Sequence, residues 1–480
     1  VIYCKQGVYN FIQKLLLLFR FFAVSLQKIS QGMRRKIYDQ LLQWKSQNGE
    51  RALMLNGARR VGKSYIAEEF AKREYRSYLK IDFNDISEEN KAIILSHLSD
   101  RDRLFSYLQL AYGVKLYERQ SLILFDEIQM CPKVRGAIKY LVADGRYDYI
   151  ETGSLLSIQE NVKDILIPSE EDYITLFPMD FEEFMWACGQ EELMEYVKQC
   201  FARKQPLESS LHRKCMTLLK EYMVVGGMPQ VVARYVATHD FAKADDAKRA
   251  ILNLYRADIA KHAGTNTLKV QHIFDAIPSQ LTRHEKQFRL SALGKNARMR
   301  AYAEPFQWLE DSMIVNTCYN STEPSLGLRL NEDRSRVKCY MADTGLLYAL
   351  AFSDMRNRNE AYQKIILGKL ELNEGMFVEN IVAQMLRSAG HNLYFFSQSD
   401  AADKESRMEI DFLLVKDLIT SRHNIVPLEV KSGTRFSTVS LQKCINKYGS
   451  YLAQPCVIYP GEYKEKDGIQ HLPLYMAPFL

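Results

Sequence analysis

The segment that most constrains the fold of this chain is a glycine loop between a predicted strand and a predicted helix. The apolar run Ala52–Asn56 predicts a buried strand, and residues 65–73 carry apolar side chains at helical spacing. Between them lies Gly57–Ser64, with the sequence GARRVGKS, which fits the pattern GxxxxGK followed by Ser or Thr. Strand, glycine loop and helix in this order predict backbone N–H groups wrapped around a phosphate. A chance glycine turn before a helix is the alternative.

Individual positions of this loop have distinct predicted roles. A side chain at Gly57 or Gly62 would obstruct the approach of phosphate oxygens to the backbone. Lys63, taken as catalytic, places an ammonium beside the β- and γ-phosphates, and Ser64 offers a hydroxyl to Mg²⁺. The predicted ATP-binding residues are Gly57, Ala58, Arg59, Arg60, Val61, Gly62, Lys63, Ser64 and Tyr65.

Two acidic residues follow a second predicted strand. Four apolar residues after Ser121 form the strand, and Asp126 and Glu127 emerge at its carboxyl end. Because ligands bind at that edge of a parallel sheet, Asp126 is predicted to hold Mg²⁺ through water. Glu127 is predicted to orient and deprotonate an attacking water. An acidic loop after a core strand, without a metal, is the alternative.

Further elements complete the pattern of a doubly wound α/β sheet. Strands are predicted at 78–83 and 147–150, and helical segments near 88–112 and 132–143. The last strand runs into Glu151-Thr152-Gly153-Ser154, whose small polar residues are expected to contact the γ-phosphate or the attacking water. An ordinary strand-to-helix turn would have the same composition.

The middle of the chain is rich in helix formers. Residues 189–268 predict a helical lid, and residues 269–352 give helix, turn, helix and hairpin in the order of a winged helix. Cations that suit DNA phosphates lie on the second helix and at the hairpin tip, namely Arg298, Arg300, Arg329, Arg334 and Arg336. A winged helix that serves only as a spacer or a protein-binding module is equally compatible.

A second group of charged residues lies within residues 370–462. A predicted helix carries Glu379, and two predicted strands carry Asp411 and the pair Glu429 and Lys431, which share a face. If the strands pair as a hairpin, Asp411 lies beside Glu429. The three carboxylates then predict a second Mg²⁺ or Mn²⁺ site, with Lys431 beside the attacking water as a catalytic residue.

The order of these four residues resembles the core of PD-(D/E)xK nucleases. That resemblance implies metal-dependent cleavage of a phosphodiester. Two features depart from it, because Gln442 and Tyr448 do not have the spacing of the related helix and no proline directly precedes Asp411. A nuclease-like fold kept for binding alone, or a surface salt bridge, stays open.

Several motifs together resemble the bacterial and archaeal AAA-type ATPases called AAA_14, with their partner region of unknown function, DUF4143. The resemblance covers roughly residues 33–460 and rests on Gly57–Ser64, Leu122–Gln129, Thr152–Ser154, Phe177–Phe184, Val225–Pro229 and Asp343–Leu347. It implies ATP binding and hydrolysis in an AAA core at 33–188. Many members carry Gly-Arg where residues 167–170 are Ile-Pro-Ser-Glu. Arg59, Arg60 or an arginine from elsewhere would then have to face the γ-phosphate.

Composition limits the remaining function classes. Of the 480 residues, 47% are hydrophobic and 25% charged, which excludes a disordered chain and a polytopic membrane protein. The net charge of +6 permits DNA binding without requiring it. Nine cysteines without a CxxC pair predict reduced thiols and a cytoplasmic location.

Residues 1–32 differ from the rest of the chain. They contain no acidic residue, and their apolar run at 15–24 is short and includes Arg20. Because a spanning helix needs about 20 apolar residues, no stable membrane insertion is expected. Met33 is predicted to begin the folded part, with the preceding residues an extension of no folded role. A membrane-surface anchor is the alternative.

These patterns together predict a cytoplasmic Mg²⁺-dependent ATPase. ATP turnover would be coupled to DNA binding or processing through the nuclease-like C-terminal domain, and a homo-oligomer suits this class. The alternative is an ATP-controlled conformational switch or scaffold whose nuclease-like domain is catalytically degenerate.

Overall fold

Two β-sheets joined by a helical middle region make up the described chain. The computed structural model describes residues 33–153, 170–283, 286–294, 297–369, 374–398, 407–416, 419–420 and 422–480. The predictions about residues 1–32, Ser154 and the segment 167–169 therefore lie outside the described residues.

Regular elements alternate along most of the chain. The strands are β1 (Ala52–Asn56), β2 (Ser77–Asp82), β3 (Ser121–Asp126), β4 (Asp148–Thr152), β5 (Glu171–Thr175), β6 (Val315–Ser321), β7 (Glu332–Met341), β8 (Tyr394–Gln398), β9 (Met408–Val415), β10 (Ile425–Val430), β11 (Cys456–Tyr459), β12 (Lys464–Lys466) and β13 (Ile469–Pro473). The α-helices are α1 (Ile37–Lys45), α2 (Lys63–Glu74), α3 (Glu88–His97), α4 (Arg101–Tyr112), α5 (Pro132–Asp144), α6 (Phe181–Ala187), α7 (Glu191–Ala202), α8 (Ser209–Val225), α9 (Pro229–Thr238), α10 (Phe241–His262), α11 (Thr267–Leu281), α12 (Met299–Asp311), α13 (Thr344–Ala351), α14 (Arg358–Ile366), α15 (Glu374–Ser388) and α16 (Val439–Tyr448).

The first sheet is five-stranded and parallel, in the order β2-β3-β4-β1-β5. Its strand β1 is buried throughout because both of its faces are covered. Leu53 and Leu55 belong to the core that includes α2, whereas Ala52 and Met54 face the core that includes α3, α4 and α5. Burial on both faces explains the continuous apolar run in the sequence. The predicted doubly wound α/β sheet is confirmed.

The second sheet is mixed and has eight strands, in the order β12-β13-β11-β10-β9-β8-β6-β7. Strands β9 and β10 pair antiparallel, as the predicted hairpin requires. The hairpin β6–β7 belongs to the same sheet, because β6 pairs with β8 through Tyr319 opposite Tyr394. One sheet therefore crosses the predicted boundary between the segments 269–352 and 370–462.

The hairpin tip that was expected to offer arginines to DNA uses two of them within the protein. Arg334 forms an ion pair with Glu332. Arg336 donates to the backbone oxygen of Ser397 (2.9 Å) and to its hydroxyl (2.9 Å). The contacts of Arg336 therefore fasten the hairpin to β8.

Close backbone contacts around Gly227 join the helical region to both sheets. The N–H of Met179 donates to the oxygen of Gly227 (2.7 Å), and a Cβ atom on Gly227 would lie 2.0 Å from the Met179 oxygen. Asp343 accepts from the Gly227 N–H (2.5 Å), and the Gln384 amide donates to the Tyr222 hydroxyl (2.9 Å). A glycine is therefore required where the chain that leaves α8 meets the backbone of Met179.

Two further observations concern the helices and the cysteines of the described residues. Among the described residues, no helix has the length and apolar character needed to cross a membrane. The eight cysteines that the structure describes are free thiols.

Candidate functional site

The glycine loop lies at the carboxyl end of β1 and continues directly into α2. Three of its residues have φ in the left-handed region, Gly57 (153°), Arg60 (72°) and Gly62 (94°). A Cβ atom on Gly57 would lie 2.4 Å from the backbone oxygen of Leu176, so only glycine fits there. The loop backbone is therefore turned as a phosphate cradle requires, at the amino end of a helix.

Lys63 is held by the loop itself. Its Nζ donates to the backbone oxygens of Gly57 (2.9 Å) and Ala58 (3.0 Å), and the residue is 8% exposed. Burial lowers the pKa of Lys63 to about 8, against the opposing charges of Glu127 and Asp126. The ammonium has neutral partners that a phosphate oxygen can replace.

Asp126 lies at the end of β3 and collects three donors. The hydroxyl of Ser64 donates to its Oδ1 (2.6 Å), the hydroxyl of Thr152 donates to the same atom, and the Lys80 ammonium lies 3.1 Å from its Oδ2. Burial alone would raise the pKa of Asp126, but the hydrogen bonds from Ser64, Thr152 and Lys80 bring it below its usual value. A hydroxyl and an ionised carboxylate are the oxygen donors that Mg²⁺ prefers, so this pair fits the metal.

Glu127 follows in the left-handed region, with φ 54°. Its N–H donates to the Thr152 hydroxyl oxygen (3.3 Å), and its carboxylate accepts from the Gln129 amide. Thr152 thus links Asp126 and Glu127 through one hydroxyl group. Glu127 is partly exposed, unlike Asp126, so its carboxylate is open to a water molecule.

The other predicted loop residues divide by exposure. Ala58 and Val61 are buried in the core, so only their backbones face the cradle. Arg59 pairs with Asp258 on α10 (2.5 Å), whereas Arg60 is exposed and has no ion pair within the described part of the chain.

A buried arginine that the sequence patterns did not single out supports the loop from behind. Arg35 donates from Nη1 to the backbone oxygen of Val61 (3.1 Å), from Nη2 to that of Phe177 (2.8 Å) and from Nε to the carboxylate of Glu183 (3.1 Å). Beside it lies a cavity of about 580 Å³, lined by residues 33–36, Tyr38, Asp39, Tyr65, Ile66, Glu69, Arg73 and Trp186. The exposed Tyr65 therefore borders a cavity next to the loop.

The C-terminal carboxylates meet a lysine that the sequence analysis did not include. The Nζ of Lys338 on β7 lies 2.9 Å from Glu409 Oε1, 3.4 Å from Glu379 Oε1 and 3.5 Å from Asp411 Oδ1. Lys286 contacts the other oxygen of Glu379. These five residues are called here the C-terminal charge cluster. A single lysine within the apolar run of β7 was the sequence signal for it.

Ionisation within the C-terminal charge cluster follows from these contacts. Burial opposes the charge on Glu379, but Lys286 and Lys338 overcome it and lower the pKa of that carboxyl to about 2. Burial also opposes the charge on Lys338 and by itself would lower the pKa of that lysine. The surrounding carboxylates instead raise this pKa well above its usual value. Lys338 therefore carries a fixed positive charge inside the protein.

Glu429 and Lys431 form a separate pair, with the Lys431 ammonium 2.7 Å from Glu429 Oε2. Asp411 reaches this strand by accepting from the Val430 N–H (2.8 Å). Burial raises the pKa of Glu429, while Lys431 opposes the rise, and the charge of Asp411 lies close enough to Glu429 to add to it. Within the described ranges, no group of three or more acidic, histidine or cysteine side chains is arranged to hold a metal ion. The described structure therefore does not gather the predicted ligands Glu379, Asp411 and Glu429 into one such group.

Sheet order, glycine loop and the Ser64–Asp126 contact together define a P-loop ATPase fold of the AAA class. Residues 49–185 match the AAA domain family AAA_14, and residues 374–476 match the domain of unknown function DUF4143. Residues 216–358 match a further domain of unknown function, DUF8612. The chain therefore carries an AAA_14 domain followed by a DUF4143 region, as the motifs indicated.

Comparison with individual proteins adds distant neighbours. No curated protein matches the chain. The RuvB Holliday junction branch migration motor from Thermotoga maritima is 12% identical over 64% of this chain and 92% of its own, with a TM-score of 0.29. Cdc6p from Pyrobaculum aerophilum is 11% identical over 71% of this chain and 96% of its own, with a TM-score of 0.24.

Proposed function

We propose that the chain binds ATP with Mg²⁺ at the glycine loop and hydrolyses it. The observation that carries the proposal is the contact of Ser64 with Asp126, directly beside the buried Lys63. These groups supply a hydroxyl, a carboxylate and an ammonium at the amino end of α2, where backbone N–H groups are unpaired.

Phosphate binding would exchange the partners of Lys63. In the loop as it stands, its ammonium is satisfied by two neutral backbone oxygens. The β- and γ-phosphate oxygens are charged acceptors and form stronger hydrogen bonds with an ammonium. The stronger hydrogen bonds that Lys63 forms with phosphate oxygens therefore favour binding of a triphosphate.

Ser64 and Asp126 would hold Mg²⁺, which when bound neutralises charge on the phosphates. Glu127 would orient the attacking water and accept its proton, since its carboxylate is partly exposed beside Asp126. Thr152 fixes the position of both acids through its hydroxyl. The exposed Arg60 is the loop arginine available to the γ-phosphate.

The cavity beside α2 would take the adenine base. It adjoins Tyr65, the residue directly after the loop, and it contains the ring of Trp186 and the guanidinium of Arg34, which stack at 4.1 Å. Planar groups of this kind suit the faces of a purine.

Two functions were left open, namely coupling of ATP turnover to DNA processing and an ATP-controlled conformational switch or scaffold. The contacts of the loop favour the conformational switch. The loop touches α10 through the Tyr255 hydroxyl, which donates to the Arg59 oxygen (3.0 Å), and through the pair of Arg59 with Asp258. Helix α10 in turn packs against α13, whose Asp343 meets Gly227. A conformational change at the loop can therefore be transmitted through the packed helices α10 and α13 toward the second sheet. DNA binding, homo-oligomers and a cytoplasmic location remain predictions beside this proposal.

Two variants separate binding from hydrolysis. Lys63→Ala is expected to abolish retention of labelled ATP and release of phosphate, and Lys72→Ala, an exposed lysine on the same helix, serves as its control. Glu127→Gln is expected to retain ATP but to lower phosphate release by roughly 10²–10⁴-fold, the usual contribution of a general base. Full phosphate release by Lys63→Ala would contradict the proposal.

A further inference from the structure

We propose that the ammonium of Lys338 is the permanent cation of the C-terminal charge cluster. It takes the place that a divalent metal ion would have in a PD-(D/E)xK nuclease. The inference concerns the C-terminal domain and does not depend on ATP hydrolysis. It implies that this domain, as folded here, neither binds Mg²⁺ or Mn²⁺ at the cluster nor cleaves a phosphodiester there.

The geometry places one ammonium among three carboxylates from two elements. Lys338 Nζ lies within 3.5 Å of oxygens from Glu379, Glu409 and Asp411. Glu379 comes from α15, and the other two come from alternate positions of β9. The sequence analysis expected a metal ion among Glu379, Asp411 and Glu429, two of which belong to this group. The protein supplies it from its own strand β7.

Burial makes this cation a permanent one. The side chain of Lys338 is 1% exposed, and the backbone on both sides of it is paired with β6. A metal ion entering the cluster would meet this ammonium and that of Lys286 at short range. Because like charges repel strongly away from water, the cluster disfavours a further divalent cation.

The remaining members of the predicted nuclease site are engaged elsewhere. Lys431 pairs with Glu429 at 2.7 Å, and one oxygen of Asp411 is occupied by the Val430 N–H. The Tyr340 hydroxyl also donates to Glu379 (2.6 Å). Glu379 and Asp411 thus already accept hydrogen bonds within the protein, whereas the buried Oε2 of Glu429 has its ion pair with Lys431 and no hydrogen bond among the described residues.

The charge cluster also has a mechanical consequence. Lys338 lies in the segment matched by DUF8612, whereas Glu379, Glu409 and Asp411 lie in the DUF4143 region. The ion pairs of the buried Lys338 with these carboxylates therefore hold the β6–β7 hairpin against α15 and β9. Removing one partner of such a group leaves an uncompensated buried charge, which is strongly destabilising.

Binding of Mn²⁺ alone tests the inference without disturbing Lys338. The nucleotide-free wild type is compared with Asp411→Asn and with Ser64→Ala by electron paramagnetic resonance of free Mn²⁺. The expected result is that Asp411→Asn changes no Mn²⁺ binding, and that any bound ion responds only to Ser64→Ala. Loss of one equivalent of Mn²⁺ in Asp411→Asn, with retention in Ser64→Ala, would overturn the inference.

A second comparison removes the internal cation. All proteins in this comparison carry Ser64→Ala, which removes Mn²⁺ binding at the glycine loop. In this background, Mn²⁺ is expected to raise the melting temperature of Lys338→Met by several degrees. It is expected to leave the melting temperatures of the parent protein and of Lys338→Met/Asp411→Asn unchanged. A folded Lys338→Met protein without a Mn²⁺-dependent shift would contradict the inference. If Lys338→Met does not fold, the comparison of Asp411→Asn with wild type decides the matter.

Discussion

Lys63 in the glycine loop and Lys338 in the second sheet are both buried lysines, but their partners differ. Lys63 donates to neutral backbone oxygens, whereas Lys338 lies among three carboxylates. Burial lowers the pKa of Lys63 to about 8, and the carboxylates raise the pKa of Lys338. A buried ammonium with neutral partners is ready for an anionic ligand, while one that lies among carboxylates already has its acidic partners within the protein. The comparison supports the proposed binding of ATP by Lys63 and the proposed structural role of Lys338.

The largest effect expected from this comparison concerns stability. Lys338→Met should lower the free energy of unfolding by about 3–5 kcal/mol, because it removes the buried cation that Glu379, Glu409 and Asp411 share and leaves only Lys286, beside Glu379. Lys416→Met, at an exposed lysine after β9, is the control and should change little. Urea unfolding followed by circular dichroism measures both. Equal free energies of unfolding for the two variants would contradict a structural role of Lys338.

A smaller effect is expected at the threonine that links the two acids of the loop site. Thr152→Val removes the hydroxyl that donates to Asp126 and accepts from the Glu127 N–H. The expected loss is about 1.5–3 kcal/mol of stability, as for hydrogen bonds to charged groups, together with slower phosphate release. Thr175→Val, at the exposed end of β5, controls for the loss of a hydroxyl. Unchanged phosphate release in Thr152→Val would show that Thr152 does not position the acids.

The smallest effect is a pH dependence that distinguishes the two lysines. Because the pKa of Lys63 is about 8, nucleotide-free protein progressively loses this charge above pH 8, and ATP must restore the proton to bind. ATP affinity is therefore expected to fall above that pH, by up to roughly tenfold per pH unit, with proton uptake on binding. Calorimetry in buffers of different ionisation enthalpy measures both quantities. Lys63→Arg should flatten the profile, and a flat wild-type profile from pH 7 to about 10 would exclude a titrating Lys63.

The sequence predicts the first site better than the second because the chemistry of the first is local. Strand, loop and helix are contiguous, so Gly57, Lys63 and Ser64 are placed by eight neighbouring residues, and Asp126 follows from the end of one apolar strand. Lys80 was missed because its contact with Asp126 depends on the pairing of β2 with β3.

The second site depends on long-range pairing that no local pattern contains. Lys338 reaches the carboxylates only because β6 pairs with β8, far along the chain, and so brings β7 into the sheet. The two strands that became β9 and β10 were predicted correctly. Their sequences could not show that a lysine from another segment would meet Asp411.

Stabilisation of the wild type by Mg-ATP tests the central claim most directly. At 100 times the dissociation constant, a ligand that binds only the folded state adds about 2.7 kcal/mol to the free energy of unfolding. The expected result is a higher melting temperature for the wild type and for the control variant Lys72→Ala, and no shift for Lys63→Ala. An unchanged melting temperature of the wild type at millimolar Mg-ATP would contradict the account.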